Sequence, residues 1–93
     1  MALLQVKVIK AKKMKLKEVE RELQQAQLNY PGFHSLHEAY AVIAEEMDEL
    51  WEHVRMKESH ELGASGYDEC IQIAAMALRT IMDRELRRDE IDP

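Results

Sequence analysis

From Ser35 to Val54 the chain carries one apolar stripe behind a helix-start signal, and this leaves little choice of fold. Ser35 and Glu38 fall in "SLHE", the capping-box pattern, in which each side chain accepts from the other residue's backbone N–H. Tyr40, Ile43, Met47, Leu50, Trp51 and Val54 follow at steps of three and four residues. That spacing lines one side of an α-helix.

Two further helices are expected around it. The first covers roughly Leu4 to Leu28. Its later part, "KEVERELQQAQL", sets Val19, Leu23 and Ala26 on one stripe with acids and amides opposite. Its beginning, "LLQVKVIK", alternates like a strand over a few residues. "NYPGFHS" then breaks the chain, because Pro31 forbids helix and Gly32 permits a turn. "RMKESHELGASG" reads as a polar connector, and a third helix follows from Tyr67 to about Arg87. The front of that helix, "CIQIAAMAL", is apolar around most of its circumference and must be enclosed on several sides.

A chain of 93 residues is a single domain that buries a modest fraction of its surface. Two helices cannot enclose the third well. The expectation is an all-α helical bundle, residues 1–93, completed by a second copy as a homodimer or homotetramer. Residues 1–17 form its basic start and residues 88–93 a frayed tail. Three Gly, two Pro and a third of residues charged agree with helix throughout.

Several function classes fall away. No run approaches the length of apolar sequence that crosses a membrane. "MALLQVKVIKAKK" lacks a leading positive region and a small-residue cleavage site, so it is a poor secretion signal. The single cysteine, Cys70, forms no internal disulfide and suits a reducing cytosol, so a cytoplasmic location is expected. The first 17 residues hold six lysines and no acid, within a chain of net charge −5. A basic arm attracts phosphate, but no arginine or aromatic stands among these lysines to read or stack on bases. Nucleic acid is therefore the lesser expectation.

The chemistry sits in "EEMDE", Glu45 to Glu49. At about 100° per residue, Glu45, Asp48 and Glu52 lie opposite the apolar stripe and face water. Glu46 and Glu49 lie on one flank of it, in line with Val42 and His53. They are neighbours three residues apart, and like charges there repel unless a cation lies between them. On the third helix Glu69 and Gln72 are again three apart, with Gln72 the only polar residue of its apolar run. A buried amide needs partners. Packed together, Glu46, Glu49, Glu69 and Gln72 would form an oxygen-lined cluster suited to Mg²⁺. Such acid pairs are also common on solvated helices, so spacing leaves both readings open.

"EEMDE" followed on the next helix by "ECIQ" resembles the two-part signature of the MazG-like all-α nucleoside triphosphate pyrophosphohydrolases. Their pattern is Glu-Glu-x-x-Glu on one helix and Glu-x-x-Asp on the next. The flanking text, "YPGFHSLHEAYAVIAEEMDELWEHV" and "ECIQIAAMALR", is similar to the small phage- and prophage-type branch, from about Asn29 to Asp83. The resemblance implies Mg²⁺-dependent cleavage, with Mn²⁺ as a substitute, between the α- and β-phosphates of a nucleoside triphosphate. The products would be a monophosphate and pyrophosphate. It implies Glu45, Glu46 and Glu49 as the catalytic acids, and Glu46, Glu49, Glu69 and Gln72 as the metal ligands. Lysines of the first helix, or Arg79, would hold the phosphate tail. Gln72 departs from the family's Asp and leaves the site one negative charge poorer. The alternative is therefore a non-catalytic helical interaction or nucleotide-binding protein with a degenerate metal site.

Other residues read as structural. His34 and His37 are not in a zinc pattern and suit helix-start hydrogen bonding. His53 reads as a half-exposed surface histidine. Trp51, Tyr40, Met47, Met76 and Met82 fall where core residues are expected. Cys70 reads as a packed small apolar group, and Tyr30 and Phe33 as a hydrophobic staple at the "PG" turn.

Overall fold

The computed structural model describes residues 2–56 and 66–91. These form three helices, α1 (Leu3–Asn29), α2 (Leu36–Met56) and α3 (Tyr67–Ile91), with no strand among the described residues. The alternation in "LLQVKVIK" does not make a strand. Lysines and alanines after it favour helix, and no neighbouring strand is present to pair with it. The connector residues 57–65 lie outside the described residues. α3 continues to Ile91, beyond the expected end near Arg87.

Each helix end has a local cause. α1 begins without a polar cap, and the Ala2 N–H donates to Gln5 Oε1 at 3.2 Å. It stops at Tyr30, which is extended (φ −137°, ψ 144°) as expected of a residue ahead of proline. Half of the capping box forms at α2: the Glu38 N–H donates to Ser35 Oγ at 3.1 Å. α3 springs from Gly66 at φ 85°, in the left-handed region that glycine tolerates. A Cβ there would lie 2.8 Å from Leu50 Cδ1.

α3 is the central element. Tyr67 donates to Glu18, Gln72 to Glu22 and Arg79 to the Ala26 carbonyl, so α1 runs parallel to α3. His53 of α2 meets Glu69 near the start of α3, whereas Phe33, just before α2, meets Asp83 further along, so α2 runs antiparallel. No Cα of α1 lies within 8 Å of one in α2. The two helices are splayed, joined to each other through α3. The core holds Leu23, Ala26, Phe33, Ala39, Ala75 and Met76, with Val19, Val42 and Ile43 packed against it. Three alanines at the crossings let the backbones approach closely.

Arg79 and Asp83 lock the turn between α1 and α2 to α3. Arg79 is 4% exposed and donates from Nη1 to the Ala26 carbonyl at 3.0 Å and from Nη2 to the Tyr30 carbonyl at 2.7 Å. The Ala26 carbonyl also accepts the Tyr30 N–H at 2.9 Å, so Arg79 adds a second donor there and supplies the donor that the helix cannot give to the Tyr30 carbonyl. Asp83 Oδ2 accepts the Phe33 N–H at 2.8 Å and stands 3.5 Å from Arg79 Nε. The Phe33 ring lies under the Arg79 guanidinium, 5.5 Å from ring centre to Cζ.

Several apolar residues expected inside are outside. Tyr40 is 74% exposed and Trp51 57%. Met47, Val54, Leu78, Ile81, Met82 and Cys70 are exposed as well. The reason is geometric: α2 turns its Ala39, Val42 and Ile43 side to α3, and Tyr40, Met47, Trp51 and Val54 project about a quarter turn away. Similarly, Cys70, Ala74, Ala77 and Ile81 lie on the side of α3 opposite Gln72 and Arg79. Of the expected core, Met76 is buried, Phe33 enters the core and Tyr30 stays exposed.

Candidate functional site

Because α1 and α2 diverge from α3, a cleft of about 780 Å³ opens between them. α3 is its floor, with Asp68, Glu69, Gln72, Met76 and Arg79. α1 supplies one wall through Glu22, Gln25, Ala26 and Asn29. α2 supplies the other through Glu38, Val42, Glu45, Glu46 and Glu49. Tyr30, Pro31 and Phe33 close one end.

Every residue that the two acidic motifs single out lines this cleft: Glu45, Glu46, Glu49, Glu69 and Gln72. Glu46 and Glu69 are partly buried, whereas Glu45 and Glu49 are exposed at the wall. The division expected from helix geometry is thus corrected at one position, because Glu45 belongs to the cleft as well as to the wet side. Asp48 and Glu52 are exposed, and Glu52 pairs with Arg55 of its own helix at 2.8 Å.

Among the described residues, seven carboxylates line the cleft against one cation, Arg79. That imbalance is felt most at Glu46, whose carboxyl is held above its ordinary range. Burial is the main cause, followed by the neighbouring Glu49 charge, with Glu45 and Glu69 adding to it. His53 Nε2 stands 3.0 Å from Glu69 Oε1, so the histidine touches the acid rather than lying free on the surface. Gln72 meets its need for a partner by donating its amide to Glu22.

Among the described residues no three Asp, Glu, His or Cys side chains converge as a ready-made ion cage. The motif acids share a cleft without closing on one point. Their donor atoms are hard carboxylate and amide oxygens, the type that Mg²⁺ takes. Arg79 is not placed to hold a phosphate tail. It is buried, and both of its terminal nitrogens donate to carbonyls of α1 and the turn. Residues 7–17 carry the six lysines on exposed turns of α1. Of these, Lys15 lies over the Tyr67 ring at 4.8 Å and 3.6 Å from Glu18, near the start of α3 and outside the cleft's lining.

Three residues of the site carry no motif. Glu22 sits between Val19 and Ala26 at steps of three and four, so an acid on the packing side of α1 was visible in the sequence. Asn29 and Asp68 follow no pattern of their own and enter the cleft through where their helices end and begin. His34 borders a separate shallow groove with Thr80 and Asp83.

No protein-family model, no curated protein and no solved structure matches this chain.

Proposed function

We propose that this chain is a Mg²⁺-dependent nucleotide pyrophosphohydrolase of the MazG-like kind, acting on a nucleoside triphosphate as a homo-oligomer. The observation that carries the reading is the shared cleft: Glu45, Glu46 and Glu49 from α2 face Glu69 and Gln72 from α3. The two motifs are separated by a connector in sequence and meet across one space, in the order the resemblance implies.

The donor oxygens are of the kind a hard divalent cation takes, and Glu46, Glu49, Glu69 and the Gln72 amide oxygen would hold it. When bound, Mg²⁺ (or Mn²⁺) supplies charge neutralisation of phosphate oxygens and eases ionisation of a water. The chain's own part is to orient and to accept a proton. Water adds across the α–β anhydride, giving the monophosphate and pyrophosphate. Glu45 or Glu49, exposed at the wall, takes the proton that the attacking water gives up. Glu46, with its raised carboxyl pKa, is the acid most relieved by an incoming positive charge.

Assembly of more than one copy is supported by the apolar side of α2 and α3 that faces away from the cleft, with Tyr40, Met47, Trp51 and Ile81 exposed on it.

The rival reading, a nucleotide-binding or interaction protein without turnover, draws on Gln72. Its amide is engaged with Glu22 and brings no charge to the cleft. Incubation with a panel of ribo- and deoxynucleoside triphosphates, in Mg²⁺ and in EDTA, separates the two. Mg²⁺-dependent release of pyrophosphate and monophosphate, abolished by Glu49→Gln, supports the enzyme. Absence of turnover with either Mg²⁺ or Mn²⁺ favours the rival.

A further inference from the structure

The cleft changes character along its length, and we propose that its closed end is a nucleobase site read by Asn29 and Glu38. This rests on the nucleotide reading above and adds to it the direction in which the nucleotide lies. From Asp68 to Arg79 the floor runs about 16 Å at 1.5 Å per residue. The open end carries Glu49, Asp68 and Glu69, with His53 against Glu69. The closed end is lined by Ala26, Pro31, Phe33, Val42 and Met76.

A triphosphate cannot lie at the closed end. Among the described residues the only cation lining that end is Arg79, whose terminal nitrogens already donate to the Ala26 and Tyr30 carbonyls. Phosphates belong with the acids that would share a metal, at the open end. A nucleobase is the complementary part of the same molecule: uncharged, flat and apolar on its faces, it suits an apolar end with a few polar groups. The exposed Tyr30 lines the same end and offers an aromatic surface on which a base can stack.

Two polar side chains give that end its selectivity. The Asn29 amide carries donors and an acceptor together, and the Glu38 carboxylate accepts only. Both line the cleft, Asn29 from the last turn of α1 and Glu38 from the first turn of α2. Glu38 in a first helical turn also favours the helix dipole, but that role leaves its acceptor oxygens available. An exocyclic amine offers two hydrogens, one for the Glu38 carboxylate and one for the Asn29 amide oxygen; adenine, cytosine and guanine carry such an amine, whereas uracil and thymine offer the single hydrogen of a ring N–H.

The test uses nucleosides, which carry neither phosphate nor metal. The full-length protein, ¹⁵N-labelled and in EDTA, is titrated with adenosine, cytidine, guanosine and uridine while amide spectra are recorded. The expected result is that an amine-bearing nucleoside moves the Asn29 side-chain amide and the Phe33 backbone amide, and leaves Glu49 and Asp68 in place. Asn29→Ala should weaken that binding about tenfold with an unchanged circular dichroism spectrum, and Glu38→Gln should narrow the gap to uridine. The proposal is overturned if no nucleoside moves Asn29, if the shifts gather at Glu49 and Asp68, if uridine binds as well as the others, or if Asn29→Ala has no effect. Failure of pyrophosphate release leaves these outcomes readable, and failure here leaves the hydrolase assay untouched.

Discussion

Gln72 on α3 donates its side-chain amide to the Glu22 carboxylate on α1, across the floor of the cleft. The residue that stands where the MazG-like pattern has an acid is thus the one that joins the two helices there. Gln72→Asp should exchange a hydrogen bond for a repulsion. Without metal the variant should lose about 1 kcal/mol of stability, the net worth of one such bond. Adding Mg²⁺ should recover more stability in the variant than in the parent, because the cleft gains a ligand charge. Thermal melts of both proteins in EDTA and in Mg²⁺ measure this. Equal Mg²⁺ shifts would mean that position 72 does not face the ion.

Glu46 yields a pH dependence with a definite sign. Its carboxyl pKa in the folded chain is raised above the ordinary 4.5, chiefly by burial and then by Glu49. A raised pKa means that the folded state holds the proton more tightly than the unfolded one. That contribution to stability is complete below about 4.5, the ordinary glutamate range. It is lost as pH rises through the folded value. In EDTA, Glu46→Gln should therefore melt above the parent at pH 8 and match it near pH 4. Mg²⁺ should reverse the order at pH 8, because the glutamine cannot offer the ion a charge. A melting difference that stays constant from pH 4 to pH 8 in EDTA would remove the repulsion argument.

Arg79 is the most expensive side chain to remove. Its two terminal nitrogens serve two carbonyls, and its ion pair with Asp83 is nearly sealed from water. Arg79→Met should cost about 3 kcal/mol, since it leaves the Tyr30 carbonyl without its donor and a partly buried carboxylate without its ion-pair partner, while the Ala26 carbonyl keeps the Tyr30 N–H. Arg79→Lys should restore little, because one ammonium cannot reproduce the fork. Urea denaturation followed by circular dichroism reads both. If the lysine variant matches the parent, the two-carbonyl cap is not what holds the turn.

Gly32 faces Asp83 closely enough to report on the same lock. A Cβ at this position would lie 3.1 Å from Asp83 Oδ2, the oxygen that accepts the Phe33 N–H. Gly32→Ala should push that carboxylate aside and cost about 1 kcal/mol, the net value of the bond it disturbs. An unchanged urea midpoint would show that the carboxylate moves freely.

The helices and their order were legible because periodicity and punctuation agreed: Ser35 opens α2, Pro31 closes α1, and Val19, Leu23 and Ala26 all reach the α3 interface. Part of the cleft's lining was legible too: Glu46 and Glu49 occupy the flank that helix geometry assigns and both line it, whereas Asn29 and Asp68 follow no pattern. Which apolar residues turn inward was not. Tyr40 and Ala39 are adjacent in sequence, and only the crossing of α2 over α3 decides that the alanine is buried and the tyrosine is not. A stripe read from sequence says that a helix has an apolar side, not which part of it the same chain covers. Arg79 was hidden for a similar reason. Its partners are backbone carbonyls at the end of another helix, and those leave no side-chain pattern to read.

The exposed stripe of α2 gives the last prediction, and the chain has a built-in probe for it. Trp51 is the only tryptophan and is 57% exposed in the single chain, beside Met47 and Val54 on the same stripe. If a second copy covers this side, Trp51 leaves water on association. Its fluorescence should then be blue-shifted at high protein concentration and move to the red on dilution. Trp51→Glu places a charge in that interface, and burying an unpaired charge is prohibitive. The variant should run as a monomer in size-exclusion chromatography with light scattering, with its helical circular dichroism retained, because the residue makes no part of the intrachain core. A parent that is monomeric at every concentration, or a Trp51→Glu variant of unchanged mass, would place the partner surface elsewhere. Since the stripe points away from Glu45 and Glu49, the separated chain should keep the acidic cleft. A Mg²⁺ shift in its melting temperature would show that the acids work without the second copy.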